Sequence, residues 1–270
     1  IGRKMIKINR IRLFVNDNLK SKKIAEMLIL LLKENNFKIV TKNYDLAIAI
    51  GGDGAFLRMV KESNFDSKCY YIGINTGTLG FAQEISFDEI DTFIKKLTLG
   101  ELKCDKIGIG EIEVETKDDT FKHFTLNEIV LREQELNTAK FRVLINDELL
   151  ENYVGDGLLV STSFGSTAYN LNFGGSIVYN TFHTLQLTPI APLNSKSYRS
   201  LLNSLIVPSD KIISIRPEVV SKNVLISIDG DNYRYNDVIR VDTYIKDKEI
   251  KVLRMNDYDM IKKINEKFLK

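Results

Sequence analysis

The sequence predicts an α/β domain built on a parallel sheet, followed by a mostly β domain, and three observations carry that reading. Up to Gly100, short apolar runs alternate with amphipathic stretches, the pattern of a parallel sheet flanked by helices. After Leu102 short strand-like runs recur, with Asn146-Asp147 and Asp229-Gly230 between them as turn signals. All four prolines, Pro189, Pro192, Pro208 and Pro217, lie in this second half. The expected layout is an α/β domain over residues 5–100, a β-rich domain over 101–255, and a C-terminal helix over 256–270 that packs back on the first domain.

The elements follow in order. Ile11 to Val15 is a buried-strand candidate, and residues Ser21 to Asn35 place Ile24, Leu28, Leu31 and Leu32 at helical spacing. Phe37 to Val40, Leu46 to Ile50 and Tyr70 to Ile74 read as strands. Ser86-Phe87-Asp88-Glu89 has the S-x-x-E form of a capping box, opening a helix that ends before Gly100. In the second half, strands are expected at Gly110 to Glu115, Phe121 to Leu126, Phe141 to Ile145, Leu158 to Ser161, Ile212 to Arg216, Val224 to Ile228 and Val238 to Tyr244. Tyr258 to Phe268 returns to helical spacing at Ile261, Ile264 and Phe268.

Bulk properties narrow the function classes. The 270 residues are 44% hydrophobic and 27% charged, an ordinary globular composition. Lys plus Arg total 38 against 36 for Asp plus Glu, which leaves no electrostatic footprint for nucleic acid or membrane. The basic stretch Lys20 to Lys23 reads as a solvated helix face. Cys69 and Cys104 lack C-x-x-C spacing, and His123 and His183 form no metal-binding pattern. The longest apolar run, Ile24 to Leu32, is broken by Glu26 and is too short to span a bilayer. A cytoplasmic protein is expected, with Met5 read as the native start and Ile1 to Lys4 outside the natural chain.

Three clusters carry chemistry. Gly51-Gly52-Asp53-Gly54 follows the strand Leu46 to Ile50 and precedes a helix, the position where α/β sheets bind ligands. Glycines let the backbone open and approach a phosphate, and a helix N-terminus favours an anion. A carboxylate there suits a base for a hydroxyl or a group acting through Mg²⁺; the plainer alternative is that Asp53 caps the helix. Gly165-Ser166-Thr167-Ala168-Tyr169, with Asp156-Gly157 upstream, offers small side chains and fixed donors around a planar ligand. Tyr169 either stacks on a base or fills the core. Leu126-Asn127-Glu128 supplies an amide and a carboxylate that read ribose hydroxyls and an amide, or only satisfy a turn. There is no G-K-[ST] and no G-x-G-x-x-G, which disfavours a Walker A loop and an ordinary Rossmann dehydrogenase.

Taken with I-G-I-N-T-G-x-L-G-F at Ile72 to Phe81 and Gly174-Gly175, these motifs resemble the bacterial NAD kinase family along nearly the whole chain. G-G-D-G alone is shared with lipid kinases and phosphofructokinase-like enzymes; the combination is specific. The resemblance implies phosphoryl transfer to the 2′-hydroxyl of the adenosine ribose of NAD. ATP or polyphosphate would be the donor, and Mg²⁺ or another divalent metal ion would assist. It implies Asp53 as proton acceptor, with Gly54 and Arg58 at the nucleotide and Asn127 and Glu128 holding the dinucleotide. Asp156 would contact a dinucleotide end, Thr167, Ala168, Tyr169, Asn170 and Asn172 would line the adenine side, and Ala191 would be a further dinucleotide position. The family is typically a homo-oligomer, a dimer or tetramer with sites at subunit contacts, so Asp156 or Tyr169 would serve a neighbouring subunit.

The chain departs from the family pattern at Ala55, where Thr is usual. Ser163 and Phe164 replace a proline and a hydroxyl residue, and Val154 replaces an arginine before the D-G pair. These departures motivate one competing expectation, a catalytically silent NAD-binding module. G-G-D-G motivates the other, a kinase acting on a lipid alcohol, for which the chain shows neither an apolar entry surface nor a basic membrane face.

Overall fold

The computed structural model describes residues 6–77, 80–134, 137–220, 224–256 and 259–270. Met5 and the residues before it, Thr78 and Leu79 of the Ile72–Phe81 run, and Tyr258 lie outside the described residues. The chain divides into two compact units, Ile1–Lys106 with Glu249–Lys270, and Ile107–Lys248.

The first unit runs β1 (Arg10–Val15), α1 (Leu19–Glu34), β2 (Lys38–Ile39), β3 (Leu46–Gly51), α2 (Asp53–Glu62), β4 (Tyr70–Asn75), α3 (Ile90–Leu99) and β5 (Lys103–Gly108). Asn18 caps α1 by accepting from the Ser21 amide at 2.8 Å, and the helix buries Ile24, Ala25, Leu28 and Leu32. Every residue of β3 is buried, as a central parallel strand covered on both faces requires. β3 pairs in parallel with β1, Ile11 opposite Leu46, and with β4, Leu46 opposite Tyr70. The capping box forms: Glu89 accepts from the Ser86 amide at 2.9 Å. Gly100, at φ 67°, ends α3 in the left-handed conformation.

The second unit holds β6 (Gly110–Thr116), β7 (Thr120–Thr125), β8 (Glu128–Glu133), β9 (Ala139–Ile145), β10 (Glu148–Gly155) and β11 (Gly157–Thr162). The short helix α4 (Tyr169–Asn172) follows, then β12 (Thr184–Ile190), β13 (Leu205–Pro208), β14 (Ile213–Pro217), β15 (Val224–Ile228), β16 (Asp231–Arg234) and β17 (Val238–Tyr244). They form two six-stranded sheets, β10-β9-β14-β17-β6-β7 and β13-β12-β11-β8-β15-β16. Alternate residues of each sheet, among them Ile112, Val143 and Ile215 on one and Leu131, Val160 and Ile226 on the other, meet in a single core, the mark of a β sandwich.

Two further elements return to the first unit: β18 (Glu249–Arg254) and α5 (Met260–Ile264). β18 inserts between β4 and β5 and pairs in parallel with β4, Lys251 opposite Tyr70. Residues 249–254, placed with the second domain by sequence pattern, therefore complete the first sheet. α5 begins at Asp259, which accepts from the Lys262 amide at 2.9 Å. Its buried residue is Met260, while Ile261, expected on the apolar stripe, is 63% exposed.

Sequence pattern also passed over β5, β8, β10, β12, β13 and β16. β16 is polar, and β10 carries a register shift between Leu149 and Glu151 that breaks alternation. β12 contains Pro189, which argues against an inner strand. Pro189 stands opposite Leu158 of β11, while on the other side β13 pairs only with Thr184 to Leu187, so one edge of β12 is unpaired where the proline falls.

Candidate active site

Asp53 is the first residue of α2, immediately after β3, and the helix has no side-chain cap. Its carboxylate turns away from α2 and accepts from two backbone amides of another loop, Phe81 N to Oδ2 and Ala82 N to Oδ1, each at 3.0 Å. The helix-cap alternative is thereby set aside: the partners come from residues 28 and 29 positions later. Gly80 permits the approach, since a Cβ there would lie 2.0 Å from Asp53 Oδ1. The loop is tied back by Gln83, whose Nε2 donates to the Gly52 carbonyl at 2.6 Å. The side chain of Asp53 remains 41% exposed, so a carboxylate fixed from behind still presents an open face.

None of the glycines of G-G-D-G has positive φ, so the motif does not depend on unusual dihedrals. A Cβ on Gly51 would lie 2.6 Å from that of Ala55, whereas Gly52 and Gly54 border open space. Ala55 is buried against Gly51. Arg58 lies one turn further along α2, exposed, donating to the Val15 carbonyl at 3.2 Å and 3.8 Å from Glu62.

In the second unit, Leu126-Asn127-Glu128 bridges β7 and β8. One buried carboxylate organises it. Asp229 accepts from Thr125 Oγ1 at 2.6 Å and from the amides of Leu126 at 2.9 Å, Asn127 at 2.8 Å and Glu128 at 3.2 Å. Burial pushes the Asp229 carboxyl above the ordinary range, and these four donors oppose the shift. The Gly165 loop packs directly on this turn: a Cβ at Gly165 would lie 2.1 Å from the Asn127 carbonyl oxygen. Asn127, Glu128 and the G-S-T-A-Y loop are thus one assembly.

Glu128 is buried, and Oε2 has no partner within the chain. Desolvation first, then the negative Asp229, push its pKa up to about 8, with the Tyr169 amide acting in the opposite direction. A carboxyl that is protonated near neutral pH can donate as well as accept. It borders a cavity of about 530 Å³ also lined by Arg132, Tyr169, Ser227 and Asn232. Arg132 donates to the Tyr169 hydroxyl at 3.1 Å and leaves its own buried Nε unpartnered. Tyr169 is 39% exposed and meets Phe173 edge-on at 4.9 Å, so it is a cavity wall and not core filling.

The remaining candidates take different places. Thr167 and Ala168 are half-buried beside Tyr169, and Asn172 is exposed. Asn170 is fully buried, donating to Gln186 and accepting from Thr188 Oγ1 at 2.6 Å; its side chain holds the loop to β12. Asp156 is exposed beside Ala191, its amide donating to the Ile190 carbonyl at 3.0 Å. Ala191 adopts φ 45°, unusual for a residue with a Cβ. The departures are absorbed locally. Ser163 bonds Thr184 Oγ1 at 2.9 Å, Val154 is buried and held by Ser200, and half-buried Phe164 opens the short turn before Thr167.

Sequence reading missed Asp229, Arg132 and the C-terminal lysines, and gave Gly80 no role beyond its place in the Ile72 to Phe81 run. Asp229 registered only as half of a D-G turn, because nothing local to it reports that its carboxylate reaches residues a hundred positions away. Arg132 carried no signal beyond lying four residues after Glu128.

A carboxylate held at the carboxyl end of a parallel strand, and a buried carboxyl over a β-sandwich cavity, define a two-unit α/β protein that handles nucleotide-like ligands. Residues 33–102 match the ATP-NAD kinase N-terminal domain and residues 126–249 the ATP-NAD kinase C-terminal domain. A NAD kinase of Finegoldia magna is 39% identical over 269 residues, covering 96% of this chain and 97% of that protein. One from Streptococcus gordonii is 34% identical over 244 residues, covering 89% and 88%. Yeast NADH kinase, solved in complex with NADH, superposes with a TM-score of 0.85 at 23% identity over 97% of this chain and 87% of that one, a likeness of fold. The chain belongs to the NAD kinase family.

Proposed function

We propose that this chain phosphorylates NAD at the 2′-hydroxyl of the adenosine ribose, with ATP or polyphosphate as donor and Asp53 as proton acceptor. The observation that carries the reading is the Asp53 carboxylate, gripped by the Phe81 and Ala82 amides with one face open. A ribose hydroxyl is a poor nucleophile until its proton has a place to go, and a fixed carboxylate supplies it. Asn127, Glu128 and Tyr169 would hold the dinucleotide: the orphaned Glu128 Oε2 and Arg132 Nε are the buried groups a polar ligand would satisfy.

No group of three or more metal-ligating side chains occurs among the described residues. A Mg²⁺ ion carried on the donor's phosphates needs few protein ligands, and when bound it would neutralise charge on the transferred group. A homo-oligomeric cytoplasmic enzyme fits the family resemblance. Asp156 and Tyr169 are exposed enough to serve a neighbouring subunit, and no helix among the described residues is long and apolar enough to cross a membrane.

Asp53→Asn tests the mechanism, because it preserves shape while removing basicity. Turnover should fall by at least roughly a hundredfold, within the range of general-base contributions, with NAD binding and melting temperature little changed. Turnover near that of the unmodified enzyme would overturn the assignment.

A further inference from the structure

α5 and the turn that follows it reach the loop that grips Asp53. Lys263 Nζ donates to the Phe81 carbonyl at 3.1 Å and to the Gln83 carbonyl, and Lys267 Nζ stands 3.9 Å from Asp53 Oδ2. The peptide joining Phe81 to Ala82 is therefore engaged at both ends. Its C=O accepts from the Lys263 ammonium, and its N–H donates to Asp53 Oδ1 at 3.0 Å. Phe268 adds its ring to that of Phe81 at 5.7 Å.

Lys263 is a costly choice for such a place. Its side chain is only 14% exposed, and burying an ammonium is unfavourable unless its donors are used. Glu84, 4.0 Å away, is already committed to the Met255 amide at 3.0 Å and to Arg254 at 3.1 Å. Lys263 spends two of its donors on carbonyls of the Asp53 loop. A cation on an amide oxygen polarises the amide and strengthens donation from its N–H.

We propose that Lys263 is a positioning residue for phosphoryl transfer, orienting the Asp53 carboxylate through the Phe81–Ala82 peptide. This rests on the reading of Asp53 as proton acceptor. Charged groups facing Lys263 among the described residues include Glu84 from the loop, Asp53 from α2, Arg254 from β18 and Glu266 from the turn after α5. Burial lowers the Lys263 pKa to about 8, so the ammonium persists at neutral pH and is lost in mild alkali.

The test is steady-state kinetics of the full chain carrying Lys263→Met, Asp53→Asn or both. Misplacing a reacting group by about 1 Å can cost on the order of a hundredfold. Lys263→Met should therefore lower kcat at least about tenfold while the KM for NAD stays within about twofold. In the Asp53→Asn background the same change should have no further effect, because the residue it acts through is already disabled. A folded Lys263→Met enzyme with kcat unchanged, or losses that multiply in the double variant, overturns the proposal. Near-normal turnover by Asp53→Asn removes its premise instead, which separates the two failures. Should Lys263→Met not fold, the pH profile of the unmodified enzyme decides. The kcat should decline above about pH 8, where the ammonium is lost, and a flat profile to about pH 9.5 refutes the positioning role.

Discussion

Replacing Glu128 by Gln isolates the proton that the fold holds on a buried carboxyl. Burial and the neighbouring Asp229 raise the Glu128 pKa from 4.5 to about 8, so the folded chain keeps a proton that the unfolded chain releases. The contribution is fully present below the unfolded pKa, is lost as pH rises toward 8, and is absent above it. At about 1.4 kcal/mol per pH unit, the span corresponds to roughly 2–5 kcal/mol of stability, allowing for relaxation around the group. Gln mimics the protonated carboxyl and does not titrate. The melting temperature of Glu128→Gln relative to the unmodified protein should therefore rise between pH 6 and pH 9. With about 2–4 °C per kcal/mol for a domain of this size, the rise should be on the order of 5–10 °C. Differential scanning calorimetry at the two pH values, following the transition of the β-sandwich unit, measures it directly. An identical difference at both would mean that Glu128 is ionised in the fold and that its elevated pKa is mistaken. The same variant should bind NAD nearly normally at pH 7. Glu128→Ala leaves ligand groups unpaired and should raise the KM about tenfold, the scale of one lost hydrogen bond of about 1.5 kcal/mol.

Gly80→Ala places a methyl 2.0 Å from Asp53 Oδ1, so kcat should fall by more than about tenfold for a displacement near 1 Å, and unchanged kinetics would show that the loop yields freely. Asp229→Asn substitutes a donor for one of the oxygens that accept from Thr125 and three amides; urea denaturation should show a loss of about 3 kcal/mol or more, as for a broken buried network, together with weaker NAD binding. Phe164→Ser should weaken NAD binding by about 0.5–1.5 kcal/mol if the ring stacks on the ligand, and equal dissociation constants by calorimetry would place the ring in the core instead.

Legibility followed the range of the interactions. The parallel strands β1, β3 and β4, the helical spacing of α1 and the capping box before α3 could be read because their signals lie within a few residues of the structure they specify. Asp53, Asn127, Glu128 and Tyr169 could be named because each sits in a short motif at a strand end. Asp229 could not, since its partners are set by the pairing of β15 with β8, Ile228 opposite Ile129. Lys263 was hidden for the same reason, its two carbonyls lying in a loop 180 positions away. β18 went unread as a strand and its residues fell in with the second domain, because the alternation of Ile250 and Val252 with Glu249 and Lys251 stops at Leu253 and carries no information about which sheet will accept it. Asn170, drawn in with its motif, turned out to spend its amide inside the chain on Gln186 and Thr188.

The placement of β18 between β4 and β5 has a consequence for how the protein comes into being. Residues 249–270 leave the ribosome only after the whole sandwich has been synthesised, yet they furnish an inner strand of the first sheet and the lysine beneath the Asp53 loop. Until then β4 and β5 lack the strand that joins them, and the loop that grips Asp53 lacks its lysine. The sandwich, whose strands are consecutive in the chain, is free to fold during synthesis. The first sheet must wait for a contact between residues about 180 positions apart, the kind of closure that slows folding. Nascent chains stalled short of residue 249 should therefore carry a protected sandwich and a protease-sensitive first unit, so that catalytic competence waits for residues 249–270.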